Sequence, residues 1–192
     1  MASLQDVLYL IFNEADHKHP RAAVSQQQSG AAEPVSTNVP QVISDEVFLF
    51  YVDTALDGMV AMVTDLGADL ANERPDIPGA NSPYVILTHC LGVMEWWGGH
   101  VVTGRPDRRD RDAEFTATGA VSDLAERVRR ARDQLGSDVA GADFAAPPRN
   151  PPQHHDDLVT TTQGAVLLHI YEELAQHRGQ MEITRDLLLA DR

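Results

Sequence analysis

Apolar residues recur at helical spacing through Val47, Phe48, Tyr51, Ala55, Leu56, Met59, Val63, Leu66 and Leu70, which predicts a long amphipathic helix. Ser44 stands before it as an N-cap, with Asp45 and Glu46 in the first turn, where the helix dipole favours acids. Glu73 to Ala80, with Pro75, Pro78 and Gly79, reads as a loop. Ser82–Pro83 is a second start signal, a capping hydroxyl followed by proline at the first helical position. That helix should run to about Val102 and stop at Gly104–Arg105–Pro106. Residues 105–119 read as a polar connection. Val121 to Leu135 sets Leu124, Val128, Ala131 and Leu135 on one face, a third helix. Gly136 to Thr161, rich in proline, reads as a loop, and a fourth helix follows from about Thr162 to Ala190. No window alternates as a strand would, and no repeat is visible. The expected fold is all-α, a four-helix bundle over residues 43–192.

Residues 1–42 break this pattern. Leu4 to Phe12 is short and apolar, enough for a helical turn or two. From His17 to Val42 the composition turns to Gln, Ser, Ala, Pro and Thr, with too few large apolar groups to offset its ordering entropy. We therefore expect an N-terminal extension, largely a flexible arm or linker, ahead of the bundle.

Composition narrows the function. The chain has 192 residues, 43% of them hydrophobic, and a formal charge of −14 from 29 acids against 15 bases. Such a surface repels phosphate backbones, so nucleic acid is not an expected partner. The one basic cluster, Arg105 to Arg111, alternates with Asp107, Asp110 and Asp112 and is nearly neutral. A single cysteine, Cys90, leaves no internal disulfide framework. No basic-then-apolar leader opens the chain, and no apolar run approaches a membrane span, so the expectation is a cytoplasmic protein without a membrane partner. Both monomer and homodimer remain open.

The chemistry concentrates in HIYEELAQHRGQ, His169 to Gln180. Glu173 and His177 are four apart, so on a helix they share a face and can grip one metal ion. His89, in SPYVILTHCLGVMEWW, is the leading third ligand. Two histidines and a glutamate leave one zinc position open, as in a catalytic site. On residue types alone the commoner fates are blander: a solvated Glu173 and a hydrogen-bonded core His89. The pairing of two helices, each with a histidine amid apolar neighbours, raises the metal reading. His169 falls near the same stripe, as a fourth ligand or a partner of one. His100 lies about 16 Å along the axis from His89 by helical rise and cannot share that ion. Cys90 is rotated about 100° from His89 and reads as a buried thiol. His154–His155 and His17/His19 read as surface histidines. Trp96 and Trp97 diverge on a helix, so both cannot face the core. Zincin, phosphate-loop, di-iron and serine-triad patterns are missing.

THCLGVMEWW, then GRPDRRDRDAEF, then EELAQHRGQ, resembles the DinB-like superfamily, in particular the branch of the mycothiol-dependent maleylpyruvate isomerase metal-binding domain. The resemblance covers about residues 44–190. It implies a four-helix bundle holding a divalent metal, commonly zinc, through His89, Glu173 and His177. The wider superfamily usually has histidine where this chain has Glu173, which favours the mycothiol branch. The isomerase carries a second domain after its bundle, whereas this chain stops at Arg192, so isomerisation is not the expected activity. The resemblance points instead to a zinc-dependent thiol S-transferase, with mycothiol as co-substrate and an electrophilic small molecule as its partner. Two rivals stand beside it: a metal-binding or regulatory bundle without catalysis, and a helical interaction protein without metal.

Overall fold

The computed structural model describes residues 43–152 and 160–190. The expectations for Leu4–Phe12, His17–Val42, His17/His19 and His154–His155 concern residues outside that range. Among the described residues every regular element is helical: α1 (Asp45–Asn72), α2 (Pro83–Met94) running into a π-helical segment (Glu95–Val102), the short α3 (Arg111–Glu114), α4 (Val121–Ala140) and α5 (Gln163–Ala190). Four long rods, α1, α2 with its π extension, α4 and α5, pack around one core, as the bundle expectation requires.

Local chemistry sets the starts. Ser44 Oγ accepts from Val47 N at 3.3 Å, and Ser82 Oγ accepts from Val85 N at 3.2 Å with Pro83 behind it. Each cap satisfies a backbone donor that the first turn leaves without a partner. Along α1, Phe48, Ala55, Leu56, Met59, Val63, Leu66 and Leu70 are buried as the spacing predicts. Val47 and Tyr51 are not: both are exposed while Phe48 and Val52 in the same turns are buried, so these two stand off the buried face. By length and a mean hydropathy of 1.5 over its most apolar window, α1 would be long enough to cross a membrane. Ten of its residues are buried within the bundle, so its apolar side already has a partner.

Three boundaries differ from expectation. The α4 helix continues through Gly136 to Ala140, because Val139 supplies one more buried residue on the same face as Leu124, Val128 and Leu135. Within α1, Gly67 takes φ 71° and ψ 178°, a conformation open to glycine, and divides the rod. The polar connection after Gly104 is also not featureless. Asp110 caps a one-turn helix, α3, by accepting from Ala113 N at 3.0 Å.

The π segment is held by a side chain from just beyond it. Arg105 folds back to clasp Glu95 with two hydrogen bonds, at 2.7 and 2.9 Å, and the buried Asp138 of α4 with two more, at 3.2 and 2.9 Å. Its guanidinium lies so close to Gly99 that a Cβ there would meet Nη2 at 2.1 Å. The glycine leaves the space into which this side chain folds. Trp97 is buried while Trp96 stays partly exposed, donating to Asp107 at 3.2 Å, and the two rings meet edge to face with centres 4.6 Å apart.

Candidate metal centre

His89 comes from the middle of α2, where Leu87 and Leu91 carry the helix into the core, and it is 3% exposed. Glu173 and His177 come from successive turns of α5, facing it. The structure brings one ligand atom from each of the three within 4.8 Å of the others. The two imidazoles meet edge to face, with ring centres 4.9 Å apart. Two donors each about 2.1 Å from a tetrahedral ion stand roughly 3.4 Å apart, so small side-chain adjustments close the remaining gap.

The surroundings aim these groups. His89 Nδ1 lies 2.9 Å from Glu114 Oε2, and His177 Nδ1 lies 2.7 Å from Gln180 Oε1. A carboxylate and an amide oxygen both accept, so each ring carries its proton on Nδ1 and turns the Nε2 lone pair inward. His169 Nε2 stands 3.4 Å from Glu173 Oε1, leaving Oε2 to face His177 Nε2 at 3.5 Å. Glu173 Oε2 is buried and receives no hydrogen bond. A buried carboxylate oxygen calls for a cation or a donor, and two neutral imidazoles cannot supply one through their lone pairs. The donor set therefore fits a divalent cation. His169 contacts the glutamate instead of converging on the three ligand atoms, and Trp97 meets its ring edge to face at 4.8 Å.

Glu114 and Arg109 were not anticipated as parts of this site. Glu114 ends α3, and Arg109 grips both its oxygens, at 2.7 and 2.9 Å. Burial alone would push the Glu114 carboxyl up, but the hydrogen bonds from His89 and Arg109 together hold it below the usual carboxylate range. The carboxylate fits because Gly92, one turn after His89, has no side chain; a Cβ there would lie 1.9 Å from Glu114 Oε1. Phe115 lies against the other side of the His89 ring, with centres 5.2 Å apart. Gln180 had a legible signal, since it falls three residues after His177 on the same face.

The remaining sulfur and nitrogen groups lie elsewhere. Cys90 is buried and its Sγ points at Met59 Sδ, 3.9 Å away. His100 Nδ1 bonds the Arg105 carbonyl at 2.8 Å, closing the turn after the π segment.

No curated protein matches the chain. Residues 47–190 match the family described as Mycothiol-S-transferase, a span that holds all three converging side chains together with Glu114 and Gln180. On that match the chain belongs to the Mycothiol-S-transferase family, a DinB-like family.

Proposed function

We propose that the protein is a divalent-metal-dependent mycothiol S-transferase, with His89, Glu173 and His177 as the metal ligands and zinc as the ion. The observation that carries this reading is the convergence of three donors, with both imidazoles anchored through Nδ1. An ion held there would supply one piece of chemistry: it would deprotonate a thiol, near pKa 8.5 when free, and hold the thiolate at neutral pH. Every other part of the task falls to the chain.

Glu114 fixes the His89 tautomer, and Arg109 keeps Glu114 ionised for that role. Gln180 does the same for His177 without adding charge. Glu173 contributes the one negative ligand, which leaves the site one unit less positive than three histidines would, and a bound thiolate correspondingly more nucleophilic. Phe115 and Trp97 flank the imidazoles of His89 and His169 and limit the water around them. The transfer forms a bond between the thiol sulfur and an electrophilic carbon. The thiol proton goes to solvent, and the electron pair of the broken bond leaves with a halide, opens an epoxide or moves along an activated alkene.

The position of His169, against Glu173, supports an open fourth position rather than a closed brace. The test is consumption of mycothiol by the zinc-loaded protein across a panel of alkyl halides, epoxides and activated alkenes. Cobalt in place of zinc should give a visible sulfur-to-metal band on adding mycothiol. Cys90→Ser should leave that band unchanged, because this thiol faces Met59. Failure to see either turnover or the band, with mycothiol and other small thiols, would sink the transferase and favour a metal that braces the bundle.

A further inference from the structure

A groove of about 430 Å³ lies on the outer side of Glu114, between α2, α3 and α4. Four arginines line it, Arg108, Arg109, Arg127 and Arg130. In a chain with 29 acids and 15 bases, that concentration of positive charge is out of keeping with the rest of the surface. Elsewhere arginines find carboxylates: Arg132 takes Asp57, Arg178 takes Glu182 and Arg185 takes Asp186.

Two of the three acids in the groove are already engaged. Both oxygens of Glu95 are held by Arg105, and Glu114 is held by Arg109 and His89. Asp110, the third, is exposed and accepts from Ala113 N as the cap of α3. Set against them, Arg127 is half-buried and its hydrogen bond goes to a neutral group, the Thr88 hydroxyl, at 3.4 Å. Arg108 has no ion pair among the described residues. Arg130 reaches Glu126 only at 3.8 Å, and that carboxylate is held more closely by Arg129, at 2.7 Å. The groove therefore has cationic donors to spare, in a concave site of a size that suits a small ligand.

We propose that this groove binds a small molecule bearing an oxyanion, a carboxylate or a phosphate, with Arg127 as the principal donor and Arg108 and Arg130 at the rim. A planar guanidinium matches the two oxygens of either group. The half-burial of Arg127 shields that pairing from solvent. The groove contains none of the three metal ligands, although Glu114 and Arg109, which line it, also contact His89; the anion binding does not depend on the thiol chemistry.

Heat titration of the full chain with inorganic phosphate, and separately with succinate, tests this in zinc-loaded and chelator-treated protein. Saturable binding of one equivalent is expected in both metal states. Phosphate alone would assign phosphoryl ligands, succinate alone carboxylates, and both the shared oxyanion chemistry. Arg127→Gln should lower the affinity at least tenfold, and Arg185→Gln should not change it. Should Arg127→Gln fail to fold, the double change Arg108→Gln with Arg130→Gln, at two exposed positions, should still weaken binding several-fold. Binding that disappears on chelation would place the anion on the metal and overturn the proposal. So would the absence of saturable binding of either probe, or equal affinity in the parent and the rim variants.

Discussion

His89 depends on a side chain from outside its own helix, and that dependence can be measured. Replacing Glu114 with Gln keeps the shape but removes the charge that anchors the ring and offsets Arg109. Loss of such a partner typically costs about 10- to 100-fold in metal affinity. Competition against a chelator should show a fall of that size in zinc affinity, and parent-like affinity would mean the carboxylate does not orient His89. Gly92→Ala attacks the same contact from the helix side, since the new Cβ collides with Glu114 Oε1. It should cost about 1–3 kcal/mol of stability as an overpacked site and lower zinc affinity as well. His177→Ala should bring bound metal well below one per chain, whereas His154→Ala should leave it intact; equal metal content would refute the ligand assignment. How legible all this was depends on distance along the chain. Glu173, His177 and Gln180 share a helical face, so spacing exposes them. Glu114 reaches His89 only through the tertiary fold, from a stretch whose charges alternate like any solvated connection. Gly92 was written in the sequence, but a glycine inside a helix does not say which side chain it admits.

At the scale of elements, starts were easier to read than ends. Ser44 and Ser82 are caps with one chemical meaning, and each helix begins where its hydroxyl lies. The end of α4 was misplaced because Gly136 resembles a stop, while Val139 pays for one more turn by burying its side chain. The π segment was illegible, since EWWGGHVV satisfies an α-helical pattern equally well. Arg105 reaches back across it to Glu95 and Asp138. Arg105→Ala should therefore cost more than a surface pair does. Asp138 is only 5% exposed and would keep Gln134 but lose its guanidinium. A penalty of about 2 kcal/mol is expected, between the values for exposed and buried pairs. Thermal unfolding would register it as a lowered Tm; an unchanged Tm would show that water replaces Arg105 without loss.

At the scale of the whole molecule, the buried core described here begins at Phe48 and draws on α1, α2, α4 and α5. We predict that the chain from Ile43 onward folds alone: removing residues 1–42 should leave helical content per residue unchanged or higher and the melting transition cooperative. A broadened, non-cooperative transition would make the extension part of the folding unit. The break at Gly67 bears on how such a unit comes apart. Beyond it, the last turn of α1 is tied to the far side of the site as well as to its own helix. Asn72 exchanges hydrogen bonds with Gly119, at 2.9 and 3.0 Å, and Arg74 donates to the Phe115 carbonyl at 2.6 Å. Amide hydrogen exchange should accordingly divide α1 in two, with residues 68–72 opening in step with residues 110–119 rather than with the turns before Gly67. The segment that carries Glu114 would then open and close as one piece with the end of α1. The lifetime of the histidine's anchor would be set by a glycine far from it in sequence.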